Sequence, residues 1–424
     1  MTTHVDLLVH HIGQLCTVPA RNGGPQRGHH LGDLGLLHDA AVAIQDGVIV
    51  VIGEDAALRA DYSAAESLDA GGRLVTPGLV DPHTHLVWAG DRAGEFEQRI
   101  AGATYQEIMA AGGGINRTVQ ATRAADLSTL VEQSKNRLNP MLAHGSTTVE
   151  CKTGYGLNTA TEIAMLNAIA LLDTEHPIDL VPTFLGAHAI PPEFARDPEG
   201  YVDLVVEEML PAVARWRGEH WPGRMFCDVF CEVGAFDLAQ TRHILEAARS
   251  YGMGLKVHVD EFESLGGARL AAELGAISAD HVVVTPDEDI RALGQSNAIA
   301  VSLPPTPFGL GHTTYTPAHR FLDAGAALAI ATDCNPGTAW NESMQFVMAL
   351  AARYLRLTPA QALAAATINA AYAIGCGDRV GSLEVGKQGD LVIWNAPNYP
   401  HLSYRFGTNL AHTVVKRGEV VHRA

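Results

Sequence analysis

The sequence predicts an α/β fold, a (β/α)8 TIM barrel with a small β-sandwich domain built from both chain ends. Three observations carry this reading. Eight short apolar runs, at 74–81, 146–151, 179–187, 225–233, 254–260, 276–281, 298–303 and 327–333, alternate with helix-like stretches such as 117–143, 158–174, 200–216, 237–251 and 266–275. Strand–helix alternation makes a parallel sheet, and eight units suit a closed barrel. Both chain ends read instead as β-hairpins, so they are expected to pair as one module with the barrel inserted between them. A chain of 424 residues suits a large barrel plus a smaller module. The expected boundaries are 1–76 and 371–424 for the sandwich and 77–370 for the barrel. A doubly wound open sheet is the alternative, but neither GxGxxG nor GxxxxGK[ST] follows the first strand.

Taken in order, Ala41-Val42-Ala43-Ile44 leads through Asp46-Gly47 into Val48-Ile49-Val50-Val51-Ile52. Asp-Gly between two β-branched runs signals a hairpin. Residues 18–38 are rich in Gly and His with little periodicity and read as a loop or insertion. The first barrel run leads directly into Asp81-Pro82-His83-Thr84-His85. Residues i and i+2 of a strand share a face, so both imidazoles project from one side of its end. Pro82 stiffens the approach. Neutral imidazole is the commonest metal ligand, and two on one face supply half of a four-ligand site. At the C-terminal end, 381–394 reads as strands on either side of turns at Gly386 and Gly389, and 414–421 as a hairpin.

The other strand ends are polar too. Lys152-Thr153-Gly154-Tyr155 ends strand two, His188 follows strand three, and strand four carries Glu232. Strand five ends Lys256-Val257-His258-Val259-Asp260-Glu261, strand six at Asp280-His281, and strand eight at Ala331-Thr332-Asp333-Cys334-Asn335-Pro336-Gly337. The C-terminal face of such a barrel carries the chemistry. His83, His85, His258 and Asp333 together suit one metal ion, Asp333 being either a ligand or a partner for bound water. Such an ion lowers the pKa of its water to about 7. Glu261, three residues beyond His258, is placed to move protons. His281 is placed to stabilise a tetrahedral oxyanion.

Several of these residues have a plainer alternative. His281 and His188 also suit satisfied core or loop histidines. Lys152 reads as a carbamate-type metal bridge or, preferably, a structural lysine. Glu232 reads as a second-metal ligand or, preferably, a hydrogen-bonded carboxylate beside the site. Gly112-Gly113-Gly114 reads equally as a lid hinge or a flexible loop. Arg92 is by default a surface arginine, but in a metal cleft a guanidinium is the preferred bidentate anchor for a carboxylate.

A formal charge of −18 makes nucleic acid and anionic membrane poor partners. A small anionic substrate remains compatible, because a cleft has its own local field. The six cysteines are scattered and form no disulfide framework, and Cys227 and Cys231 read as small core residues. No secretory signal and no apolar run of about 20 residues is read, so a cytoplasmic protein is expected.

Pro77-Gly78-Leu79-Val80-Asp81-Pro82-His83-Thr84-His85, Ala331-Thr332-Asp333 and the closing stretch Gly381–Leu391 resemble the amidohydrolase superfamily. Narrower stretches point to one branch of it: His85-Leu86-Val87-Trp88-Ala89-Gly90-Asp91-Arg92, Ala111–Ile115, Glu150–Leu157, His258–Phe262 and Thr332–Gly337. The resemblance runs from about residue 40 to the end. It implies hydrolysis of 4-imidazolone-5-propanoate to N-formimino-L-glutamate. It implies one zinc or iron ion per subunit on His83, His85, His258 and Asp333. Arg92, Tyr155 and His188 would hold the substrate, with Asn335, Gly337 and Thr338 contacting it, while Glu261, His281 and Asp333 would assist catalysis. A homodimer is implied. The stretch near 21–38 is longer than the family leads one to expect, and Thr338 stands where serine is frequent. The runner-up is a related cyclic amidohydrolase or a cytosine- or guanine-type deaminase, for whose substrates Arg92 and Tyr155 would have no purpose. A non-catalytic barrel would be expected to have lost ligands, and here all four are present.

Overall fold

The computed structural model describes residues 3–103 and 113–424, so Gly112 of the expected hinge lies outside the described residues. Eight strands from the two chain ends form one sheet. They are β1 (Thr3–Cys16), β2 (Leu36–Gln45), β3 (Val48–Glu54), β4 (Tyr62–Asp69), β5 (Leu74–Pro77), β14 (Leu391–Trp394), β15 (Ala411–Lys416) and β16 (Glu419–Arg423). Their order is β16-β15-β14-β5-β1-β2-β3, with β4 also on β1. The module packs its own core, in which Leu7, Val9, Ile12 and Ile44 from the start of the chain meet Leu391, Ile393 and Val415 from its end. The expected hairpin is present. Gln45 pairs with Val48, and Asp46 and Gly47 both take positive φ, 51° and 74°. That is the conformation of a two-residue turn matched to strand twist.

Between the ends, β6 (Leu79–Asp81), β7 (Ser146–Lys152), β8 (Asp179–Ala187), β9 (Phe226–Cys231), β10 (Gly254–Val259), β11 (Ser278–His281), β12 (Ile299–Ser302) and β13 (Ala327–Ile330) pair in parallel in chain order. This is the (β/α)8 barrel. Its first and last strands close through the segments just beyond them. The Asp333 amide donates to the His83 carbonyl (3.1 Å) and the His85 amide to the Cys334 carbonyl (2.9 Å). The Asp81 carboxylate accepts from the Thr332 amide at 3.0 Å. The seam of the barrel is therefore also the place where the HxH segment meets Asp333.

The structure differs from the sequence reading in four places. The run 74–81 is two strands: Leu74–Pro77 pairs with β1 and β14, and Leu79–Asp81 with β7. The chain crosses between sheets at Gly78, where a Cβ would come within 2.2 Å of the Thr147 hydroxyl. The stretch 117–143 is two helices, Ile115–Ala124 and Leu127–Ala143, because Asp126 caps the second by accepting from the Thr129 amide at 2.8 Å. In 381–394 only Leu391–Trp394 is a strand, and the turns before it are gathered around the buried Lys387 ammonium, which donates to the Gly377 carbonyl and the Ser382 hydroxyl. Of the Gly- and His-rich segment, residues from Leu36 onward belong to β2. The part before it lies under the barrel, where the Gly28 amide donates to Ala326, Arg27 to the Gly294 and Ser296 carbonyls, and the Gln26 amide to Asn369.

All six cysteines are buried free thiols. No helix among the described residues is long and apolar enough to cross a membrane.

Candidate active site

His83 and His85 project just past β6, with ring centroids 5.4 Å apart. His258, from the penultimate position of β10, comes in beside them, its ring 4.4 Å from that of His83. Asp333 lies three residues beyond β13 in a left-handed backbone conformation, φ +51°. Non-glycine residues take that conformation only when their surroundings hold them there. Asp333 Oδ1 lies 3.5 Å from both His83 Nε2 and His85 Nε2, and His258 Nε2 lies 3.4 Å from His85 Nε2. The other Asp333 oxygen accepts from the Thr306 hydroxyl.

This arrangement fits a cation. His83 Nε2 and Asp333 Oδ1 are buried and have no hydrogen-bond partner among the described residues. Buried polar atoms are rarely left so. Two overlapping sets, His83–His85–Asp333 and His83–His258–His281, bring ligand atoms within 4.8 Å of one another. Burial, chiefly, holds His83, His85 and His281 well below the ordinary histidine range, so each offers a lone pair at neutral pH. Burial pushes the Asp333 carboxyl up to about 6, against the pull of Thr306 and His258.

Beneath the ligands lies a layer of buried charge. His83 Nδ1 sits 2.7 Å from Asp280, and His258 Nδ1 3.1 Å from Asp228. Carboxylates there orient the rings, leaving each Nε2 for a metal. Lys152 lies 2.7 Å from both Glu150 and Asp228, and Lys256 3.3 Å from Glu150 and 3.5 Å from Asp280. Burial pulls Lys152 down, yet Asp228, Glu150 and Asp280 outweigh it and hold the ammonium above its ordinary value. Lys152 is thus a compensated ammonium in the barrel interior, which agrees with the structural reading. The sequence reading named Lys256 and Asp280 at polar strand ends and Glu150 within the stretch Glu150–Leu157 without giving any of them a role, and did not single out Asp228. A signal for them exists: Glu150-x-Lys152, Lys256-x-His258 and Ser278-x-Asp280 put polar groups on alternate, inward positions of apolar strands.

Around the ligands stand the remaining expected residues. His188 stacks on His85 (centroids 4.8 Å, interplanar angle 17°), and Tyr155 lies 5.2 Å from His188 and 5.8 Å from His85. His188 Nδ1 is 2.9 Å from the Gly154 carbonyl, and burial takes its pKa down to about 3. Glu261 lies 3.7 Å from His281 Nε2 and lines a cavity of about 440 Å³ together with Thr306 and His312. Burial first, then the charges of Asp333 and Glu232, raise the Glu261 carboxyl well above its ordinary value. Glu232 accepts from the Val233, Phe262 and Glu263 amides, so it anchors the loop that carries Glu261. Arg92, Asn335, Gly337 and Thr338 form a second group on the loops after β6 and β13. The Asn335 side chain is engaged within its own turn, accepting from the Gly337 and Thr338 amides and donating to the Asp333 carbonyl.

Comparison with known proteins agrees with this site. The model of the Amidohydrolase family matches residues 74–421. A curated imidazolonepropionase of Herpetosiphon aurantiacus is 56% identical over 99% of this chain and 98% of its own length. Those of Chloroflexus aggregans and Geobacillus kaustophilus are 51% and 50% identical over 98% of this chain and 98% and 97% of theirs. Among solved structures, an adenosine deaminase from Xanthomonas campestris with bound zinc superposes with a TM-score of 0.72 at 21% identity, covering 99% of this chain and 93% of that one. Guanine deaminase of E. coli gives 0.73 at 15% identity, covering 98% and 99%. At that identity the two structures speak for the fold alone.

Proposed function

This chain belongs to the amidohydrolase family, among the imidazolonepropionases, and we infer from that premise and from its site that it hydrolyses 4-imidazolone-5-propanoate to N-formimino-L-glutamate. It is a metal-dependent hydrolase of a cyclic amide. The finer assignments are our proposal: one zinc or iron ion per subunit, held by His83, His85, His258 and Asp333, in a cytoplasmic homodimer. The observation that carries the ligand set is the convergence of buried, unpartnered His83 Nε2 and Asp333 Oδ1 with the facing nitrogens of His85 and His258.

When bound, such an ion supplies Lewis-acid activation of a water molecule and of the amide carbonyl. The chain's own residues do the rest. Arg92 takes the propionate arm as a charge-assisted pair, which fixes the ring over the ligands. His188, stacked against His85, and Tyr155, tilted beside both, wall the ring and keep bulk water out. Glu261 accepts the proton of the attacking water and delivers it to the departing ring nitrogen as the C–N bond opens. Its raised pKa suits a carboxyl that must hold a proton in mid-reaction. Neutral His281 donates an N–H to the oxygen on which charge develops.

The test is turnover of freshly made imidazolone propionate, followed by its ultraviolet loss, with metal analysis and light scattering of the same sample. Rapid loss with about one ion per chain is expected. No turnover in a metal-loaded sample would move the substrate to another cyclic amide or a nucleobase.

A further inference from the structure

Arg92 and Glu95 begin the helix Ala93–Ile100, Arg92 at its cap and Glu95 in its first turn. Such i,i+3 pairs are usually solvated and contribute little. This one is not solvated. The Glu95 side chain is 5% exposed and that of Arg92 16%. Arg92 Nε donates to Glu95 Oε2 at 2.8 Å, and both Glu95 oxygens face the Gly114 amide at 3.2 Å. A buried carboxylate is tolerated when fully engaged, and engagement fixes its partner as firmly as itself.

The other end of the guanidinium is fixed by space. A Cβ on Gly337 would come within 2.3 Å of Arg92 Nη1 and 3.2 Å of its Cζ, so Arg92 lies across a residue with no side chain. Gly337 has an ordinary backbone conformation, so glycine is required there by the close approach. Gly337 is held in turn: its amide donates to Asn335 Oδ1 at 2.8 Å, and Arg99 Nη2 donates to its carbonyl at 3.3 Å. Asn335 Nδ2 donates to the Asp333 carbonyl at 2.7 Å, so the seat of Arg92 is tied to a candidate ligand.

A guanidinium can take a carboxylate side-on, through Nε and one terminal nitrogen, or end-on, through both terminal nitrogens. We propose that Glu95 is a positioning residue for substrate specificity: by occupying the Nε edge of Arg92 against the side-chain-free Gly337, it leaves only the end-on edge for the carboxylate arm. The inference deepens the function proposed above and rests on it. The arm's length and charge are thereby read at one fixed distance from the ligands. A carboxylate at that distance fits, and an uncharged arm leaves the terminal N–H groups without their charged partner.

The experiment compares Glu95→Gln, Glu95→Asp and Gly337→Ala with the unmodified holoenzyme. Two substrates are used, the propanoate and the same ring bearing an uncharged propanamide arm. The unmodified enzyme is expected to show a far lower KM for the propanoate. E95Q should raise the propanoate KM about tenfold or more, leave its kcat within about twofold, and leave the propanamide KM unchanged, while G337A should raise the propanoate KM by a similar factor. E95D should recover part of the loss. Equal rises for both substrates, or no change in the propanoate KM, would overturn the assignment. Absence of any preference in the unmodified enzyme would instead overturn the anchoring role of Arg92 on which the proposal rests. If E95Q does not fold, E95D, which keeps the charge but shortens the reach to Arg92 Nε, decides by the same comparison of the two substrates: a rise in the propanoate KM alone supports the assignment, and equal rises or no change overturn it.

Discussion

Lys152 has no surface exposure and is held between Glu150 and Asp228, with Asp280 at 3.7 Å. Removing one member of a buried charge cluster leaves the others uncompensated, which costs about 3–5 kcal/mol. Lys152→Met should therefore lower the thermal midpoint by roughly 5 °C, read by differential scanning calorimetry on metal-loaded protein. An unchanged midpoint would mean the three carboxylates do not need the ammonium. The metal-ligand candidates were legible at this scale because their chemistry is sparse: two histidines at i,i+2 and one Asp after a strand stand out against apolar runs. The charge beneath them was not, since a lysine or aspartate inside a strand carries no mark of its partner. Asp280 was named beside His281 but given no role, though it is Asp280 that touches His83. The role of Lys152 was decided by neighbours on β9 and β11, far away in sequence.

At the scale of elements, barrel strands were legible as apolar runs and the Asp46-Gly47 hairpin as a turn type. What escaped were changes of partner within a run. Nothing in the apolar character of 74–81 says that Pro77 pairs in one sheet and Leu79 in another, because both sheets bury their strands. Glu232 shows the same limit in a functional setting. Sequence placed it beside the site, but its actual work is to join two elements. One carboxylate at the end of β9 receives the amides of Val233, Phe262 and Glu263, and so fixes the loop after β10 on which Glu261 sits. Glu232→Gln keeps one acceptor oxygen and puts an amide donor opposite backbone donors. We expect kcat to fall roughly tenfold or more, with metal content and KM little changed. Loss of metal in step with activity would show that Glu232 acts on the ligands and not on the position of Glu261.

For the whole molecule, the closing seam of the barrel and the candidate metal site are one structure. His83 and Asp333 come from the first and last strand ends, and the Asp333 amide donates to the His83 carbonyl across the seam. His258 and His281 reach the same point from β10 and β11. Four widely separated parts of the chain therefore meet at a centre whose His83 Nε2 and Asp333 Oδ1 find no partner among the described residues. An ion bound only in the native state stabilises it by RT ln(1 + [L]/Kd), about 4 kcal/mol at a thousandfold excess over Kd. Chelation should then lower the thermal midpoint by roughly 5 °C without changing far-ultraviolet circular dichroism at 25 °C, since the barrel's own core and ladders persist. Restoring the ion should restore the midpoint in proportion to the logarithm of its free concentration. Asp333→Asn should flatten that dependence, because it removes the only carboxylate among the described residues that comes within 3.5 Å of both His83 Nε2 and His85 Nε2. A midpoint that ignores chelation, in a sample shown by analysis to have lost its metal, would mean that the four residues close the barrel by themselves and that the ion is bound elsewhere.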